Sequence, residues 1–176
     1  GHAWAEAMVP GLGWVGFGSS PPVTTVEVDG SYWVEPIEST PAGGAKVLKI
    51  LKSTDPVTGM RSWYYLESRQ AIGVDGFLAS YPNVLGGMVI RTGSDSSGNT
   101  SNLLDMTPET TSWTDPALTA GATFTDPDAG VTITPVSVGA TGALVNVTFA
   151  GLPCFRSNPT VTLSSTETTG VAPGTP

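Results

Sequence analysis

Apolar and polar positions alternate with a period of two in several short runs of the 176-residue chain, and this alternation predicts strands rather than helices. It is clearest in Val131–Val138 and Leu144–Phe149. Val131 and Ile133 share one face of the first run and Val145, Val147 and Phe149 one face of the second, with Gly139-Ala140-Thr141-Gly142 as the hairpin loop between them. A second pairing joins Lys46–Lys52 to Arg61–Gln70 through the turn Asp55-Pro56-Val57-Thr58-Gly59. Within Trp63–Gln70, Trp63, Tyr65, Glu67 and Arg69 fall on one face and Tyr64, Leu66, Ser68 and Gln70 on the other. Both faces carry large apolar groups, so this strand is expected at the centre of a sheet that is covered on both sides.

Three further strands are expected. Val23–Val28 and Tyr32–Glu38 flank Asp29-Gly30, a strong two-residue hairpin signal, and Pro36 places the end of the second near an edge. Leu85–Thr92 contains Gly86-Gly87, which predicts a bulge or a close backbone approach. Residues 71–83 and 93–99 read as loops, the second leading into Leu103–Met106, and Thr107–Asp128 shows little periodicity and two Asp-Pro turn formers. A last strand is expected at Thr160–Ser164, and helix only in a short turn near the N-terminus around Ala3–Met8. About ten short strands with so little helix bury their apolar faces most simply as an all-β, antiparallel β-sandwich. The module is expected over residues 21–164, with 1–20 as an N-terminal segment or linker and 165–176 as a Thr/Gly/Pro-rich linker to a following module.

Composition sharpens this picture. Gly 22 and Pro 15 supply the frequent turns, and a net charge of −8 with seven Lys and Arg argues against a nucleic-acid or anionic-membrane surface. No run approaches the roughly 20 apolar residues needed to span a bilayer. The Thr/Gly/Ser-rich, Lys-poor character reads as secreted and extracellular, and as a monomeric piece of a larger protein. Asn99-Thr100-Ser101 and Asn146-Val147-Thr148 fit the glycosylation pattern, which arises often by chance in Thr-rich sequence. Cys154 has no partner for an internal disulfide and reads as a buried small apolar group or as pairing outside this sequence.

Candidate chemistry is sparse. The one histidine, His2, is terminal, so a Ser or Cys nucleophile has no usable base, and no spacing singles out a glycosidase carboxylate pair. Glu67 and Arg69, about 7 Å apart by strand rise, read as a structural ion pair or as ligand-binding groups in a cleft. Asp95, Ser97, Asn99 and Asp105 present oxygen ligands that suit calcium, but they lack the EF-hand spacing, and an ordinary solvated loop is the favoured reading. Asp126, Asp128 and Gly130 read as a turn. Trp113 stands apart from the other tryptophans because Thr111, Ser112, Thr114 and Asp115 surround it. Such a loop aromatic stacks on sugar faces while Asp115 takes hydroxyls, and Tyr32 and Trp33 on their strand extend the platform; the alternative is a Trp folded over one end of the sandwich.

The strings Trp63-Tyr64-Tyr65-Leu66-Glu67-Ser68-Arg69-Gln70, Leu103-Leu104-Asp105-Met106-Thr107-Pro108 and Phe124-Thr125-Asp126-Pro127-Asp128-Ala129-Gly130-Val131-Thr132-Ile133 resemble the region that follows the zinc site in secreted bacterial gametolysin-like metallopeptidases. The resemblance runs from about Leu12-Gly13-Trp14 to Asn158-Pro159-Thr160-Val161. The family's zinc site needs two His one helical turn apart, a Glu between them and a third ligand downstream, and none of these stands in this sequence. Two expectations follow. One is a non-catalytic module that binds a polysaccharide for a secreted multidomain hydrolase, with no required cofactor. The other, implied by the resemblance, is a structural companion that packs on a gametolysin-like catalytic domain and shapes its protein-substrate cleft.

Overall fold

The computed structural model describes residues 23–40, 43–95 and 97–151, with the side chains of 97–99 excepted. Ten strands in these residues form two sheets: β1 (Val23–Val26), β2 (Gly30–Val34), β3 (Val47–Thr54), β4 (Arg61–Ser68), β5 (Gly87–Ser94), β6 (Ser97–Leu103), β7 (Leu118–Thr119), β8 (Phe124–Asp126), β9 (Val131–Gly139) and β10 (Gly142–Phe149). The larger sheet has the order β1-β3-β4-β5-β6, with β7 also on β5, and the smaller has the order β2-β10-β9-β8. The alternation read in the sequence becomes the core between them. Leu48, Ile50, Tyr64, Leu66, Met88 and Ile90 from the larger sheet meet Val34, Val131, Ile133, Val145 and Val147 from the smaller. The fold is therefore the expected β-sandwich.

β4 is a central strand, paired with β3 on one side and β5 on the other, and Trp63 through Ser68 are all buried. Its faces divide as the period of two requires: Tyr64 and Leu66 enter the inter-sheet core, whereas Trp63 and Tyr65 join Val47 in a second cluster on the outer face. The β9–β10 hairpin also forms as expected. Its register slips where Leu144 pairs with Ser137 and Val145 with Pro135, which leaves Val136 as the extra residue. A bulge is where a strand tolerates the missing N–H of a proline.

Asp29-Gly30 does not close a hairpin. β1 runs parallel to β3 in the larger sheet, Val23 facing Val47 and Val26 facing Ile50, whereas β2 pairs with β10 in the smaller one. The segment between them crosses from sheet to sheet, which lets Val26 and Val34 both reach the inter-sheet core. Asp29 Oδ1 accepts the Phe149 amide at 2.7 Å and the Tyr32 hydroxyl donates to the Val28 carbonyl at 2.7 Å, which fixes the crossing. Among the described residues β1–β3 is the one parallel strand pair, joined by two isolated parallel bridges, Val34 to Ala45 and Pro36 to Ser68.

Two loops of the sequence reading are ordered elements. Residues 71–83 contain a 3-10 helix, Gly73–Ser80, which leads into one turn of helix, α1 (Pro82–Leu85), so β5 begins at Gly87 rather than at Leu85. The polar stretch read as a loop at 93–99 supplies the last residues of β5 and the first of β6. Thr107–Asp128 adds the short β7 and β8. Gly87 does mark a close approach: a Cβ there would lie 2.8 Å from Ala117 Cβ and 3.0 Å from the Leu118 carbonyl oxygen, where β7 pairs. The expected N-terminal helical turn, the strand at 160–164, Cys154 and both linkers lie outside the described residues.

Candidate functional site

The outer face of the larger sheet carries a buried charge network. Arg69 Nε donates to Glu38 Oε1, its Nη1 lies 3.5 Å from Glu67 Oε1, and its Nη2 lies 3.3 Å from Asp75 Oδ2. Arg91, which faces Tyr65 across the β4–β5 register, donates through Nε to the same Glu67 Oε1 at 3.2 Å. Glu38 Oε2 accepts the Gln70 amide at 3.0 Å, tying the strand end to the segment after β2. Burial opposes the charge on Arg69, but the carboxylates of Glu67, Glu38 and Asp75 outweigh it and raise its pKa. Glu67 and Arg69 were legible from their spacing; Glu38, Asp75 and Arg91 were not. The one signal for Arg91 was a cation ending the apolar run Met88-Val89-Ile90.

Beside this network a cleft of about 250 Å³ opens to solvent. Arg69 and Arg91 contribute its charged lining. Phe77, Leu78, Tyr81 and Val84 of the helical segment form one wall, and Leu103, Trp113 and Pro116 the other. Phe77 meets Tyr81 edge to face at 6.4 Å. Trp113 is 65% exposed and Phe77 62%, so both rings keep free faces.

Both walls are held in place. Asn83 of α1 clamps residue 117: its Oδ1 accepts the Ala117 amide at 2.8 Å and its Nδ2 donates to the Ala117 carbonyl at 3.3 Å. Beneath lie Leu78, Val84, Val89 and Ala117. The loop that carries Trp113 is closed by its own polar side chains. The Thr107 hydroxyl donates to the Asp115 carbonyl at 2.7 Å, Thr110 Oγ1 lies 3.3 Å from Asp115 Oδ1, and the Thr114 amide donates to Ser112 Oγ at 3.1 Å. Ser and Thr hydroxyls that bond nearby backbone stabilise such turns.

The other residues singled out in the sequence lie elsewhere. Trp33 and Tyr32 lie on β2 of the smaller sheet, whereas Trp113 lies in the loop between β6 and β7 of the larger one. Successive strand residues point to opposite faces, and Tyr32 packs against the inter-sheet core whereas Trp33 is 45% exposed. The carboxylate of Asp115 meets Thr110 within its own loop. Asp95 accepts the Trp63 indole N–H at 2.9 Å, with Lys49 Nζ 3.9 Å away and also 4.0 Å from the centre of the Trp63 ring. Asp105 accepts the Thr107 amide at 3.0 Å. The side chains of Ser97 and Asn99 are outside the described set. Among the described residues no group of three or more His, Cys, Asp and Glu is placed to hold a metal, and no helix is long and apolar enough to cross a membrane. Asp126 accepts the amides of Asp128 at 2.9 Å and Ala129 at 3.1 Å, which is a turn.

Three buried side-chain atoms have no hydrogen-bond partner among the described residues: Tyr65 Oη, Glu67 Oε2 and Ser68 Oγ. Burial, with Asp95 adding to it, pushes the Tyr65 hydroxyl above the usual phenol range, so it remains neutral. A buried hydroxyl without a partner stabilises nothing. Tyr65→Phe is therefore expected to leave stability unchanged or raise it by about 1 kcal/mol in urea unfolding. A loss of that size would instead reveal a partner for the hydroxyl.

Comparison with protein-family models, with curated proteins and with solved structures gives no match to this chain.

Proposed function

We propose that this chain is a non-catalytic, monomeric binding module of a secreted multidomain hydrolase, and that it holds a polysaccharide in the cleft beside Trp113. The observation that carries this reading is the pair of exposed rings, Trp113 and Phe77, that line one small cleft whose loop and helical segment are clamped together by Asn83. Aromatic rings with free faces stack on the apolar faces of sugars, and walls fixed before binding lower the entropy cost of association. The cleft is smaller than the roughly 300–1,000 Å³ of sites for drug-sized ligands, which suits one sugar residue of a longer chain. Nothing in this binding mode requires calcium.

The test is retardation in gels that contain soluble polysaccharides, and sedimentation with insoluble ones. Trp113→Ala is expected to weaken retention at least about tenfold, equivalent to ~1.4 kcal/mol, while leaving the melting temperature near its original value because the ring is mostly exposed. Absence of retention across neutral and acidic polysaccharides would sink the proposal.

The second reading, a companion packed on a gametolysin-like catalytic domain, draws support from Val74, 93% exposed, beside Phe77 on the same helical segment. Exposed apolar groups that adjoin one another mark interaction surfaces. On that reading Trp113→Ala leaves glycan retention unaltered, and Val74→Ser lowers the yield or stability of the joined enzyme.

A further inference from the structure

We infer that the cleft selects a carboxylate-bearing sugar, a uronate, and that Arg91 receives its carboxylate. The inference rests on the cleft's being the polysaccharide site and specifies which class of sugar it takes. The charged side chains that line the cleft are both guanidinium groups, and no carboxylate lines it. The three carboxylates that pair with them, Glu38, Glu67 and Asp75, are set back from the cleft, with side-chain exposures of 5%, 0% and 11%. A ligand in the cleft therefore meets cationic groups between apolar walls.

The two arginines differ in what they have left to offer. Arg69 directs Nε to Glu38, Nη1 to Glu67 and Nη2 to Asp75. Arg91 makes one contact among the described residues, from Nε to Glu67, and its side chain is 18% exposed. The Glu67 contact holds the Arg91 plane by its Nε edge, and among the described residues the two terminal nitrogens have no hydrogen-bond or ion-pair partner. Two parallel N–H donors on a planar fork match the two oxygens of a planar carboxylate. A neutral sugar leaves those donors without a partner as water is displaced, which is the asymmetry by which a polar site rejects a ligand lacking the matching group. The net charge of −8 repels a polyanion at long range and slows its approach. Selection comes from the short-range contact.

The experiment uses the whole chain and three trisaccharides: galacturonate, its methyl ester and a neutral glucan, each titrated calorimetrically. Esterification removes the charge while preserving the ring, so no protein variant is needed for the main comparison. The acid is expected to bind at least about tenfold more tightly than the ester, or ~1.4 kcal/mol. Arg91→Lys keeps a cation beside Glu67, so the fold is preserved, and loses the fork; it should weaken the acid severalfold more than the ester. Equal binding of acid and ester, or an unaltered acid affinity in Arg91→Lys, would each overturn the inference. If acid and ester bind equally and both are lost in Trp113→Ala, the polysaccharide site stands and its acidic specificity falls. If no saccharide binds, both fall.

Discussion

Arg69→Met is expected to destabilise the fold by about 3–5 kcal/mol. Three carboxylates, those of Glu38, Glu67 and Asp75, converge on this guanidinium, and all four residues lie at the buried end of β4 and the segments beside it. Methionine replaces much of the side chain's volume, so the loss comes from charge rather than from a cavity. Removing the cation leaves Arg91 to serve Glu67 alone and takes away the counter-ion of Glu38, whose carboxylate keeps the hydrogen bond from the Gln70 amide. A buried carboxylate without a partner costs more than the pair contributed, because its desolvation is no longer offset. Urea unfolding should show a lower midpoint at an unchanged slope. Arg69→Met combined with Glu38→Gln should recover part of the loss, since one stranded charge is removed with its partner. If the double variant is no more stable than the single one, the loss arises from packing.

Tyr64→Phe is expected to cost about 1.5–3 kcal/mol at neutral pH, the range for a hydrogen bond to a charged group. The contrast with its neighbour Tyr65 is instructive, because the two hydroxyls leave opposite faces of β4. Tyr64 donates to the Asp126 carboxylate on β8, and Phe124 packs edge to face on its ring at 5.5 Å. Burial, then the hydrogen bond to Asp126, raises the Tyr64 pKa above the usual phenol range. The same hydrogen bond is the largest influence lowering Asp126 below the usual 3.8, with partial burial acting against it and the amides of Ala129 and Asp128 and the charge of Lys52 adding to it. The folded-state pKa is the lower one, so the stabilisation is complete above the unfolded value near 3.8 and is lost as pH falls through the folded value. The gap between wild type and Tyr64→Phe should therefore be constant from neutral pH to about 5 and narrow below ~4. A gap that does not change across that range would show that Asp126 does not carry it.

The parts of the fold that were legible in sequence are those where burial on one face imposes a period of two. Val131, Ile133, Val145 and Val147 announce β9 and β10, and the aromatic run of β4 announces a strand covered on both sides. Periodicity assigns a face, however, and says nothing of which sheet a strand joins. Asp29-Gly30 therefore reads as a hairpin, although the chain crosses between sheets there. β6 escapes for the opposite reason: as an edge strand of Ser, Asn and Thr it has little apolar burial to write into its composition. The 3-10 helix at 73–80 is too short and too loosely amphipathic to show a helical period. Of the cleft, Trp113 was visible because a large aromatic stood in a polar stretch. Arg91 and Phe77 were not, because their proximity depends on the β4–β5 register and on a helical turn that returns over the sheet.

The parallel pairing of β1 with β3 has a mechanical consequence. Val23 begins β1 at the end of the sandwich where Val47 and Glu67 lie, whereas Phe149 ends β10 at the opposite end, beside Asp29. Tension applied between residues 23 and 149 consequently runs along the strands. It loads the pairs from Val23–Val47 to Val26–Ile50 together, in shear, instead of peeling them apart in turn. In a module tethered between other parts of a longer chain, that geometry makes β1 a clamp against extension.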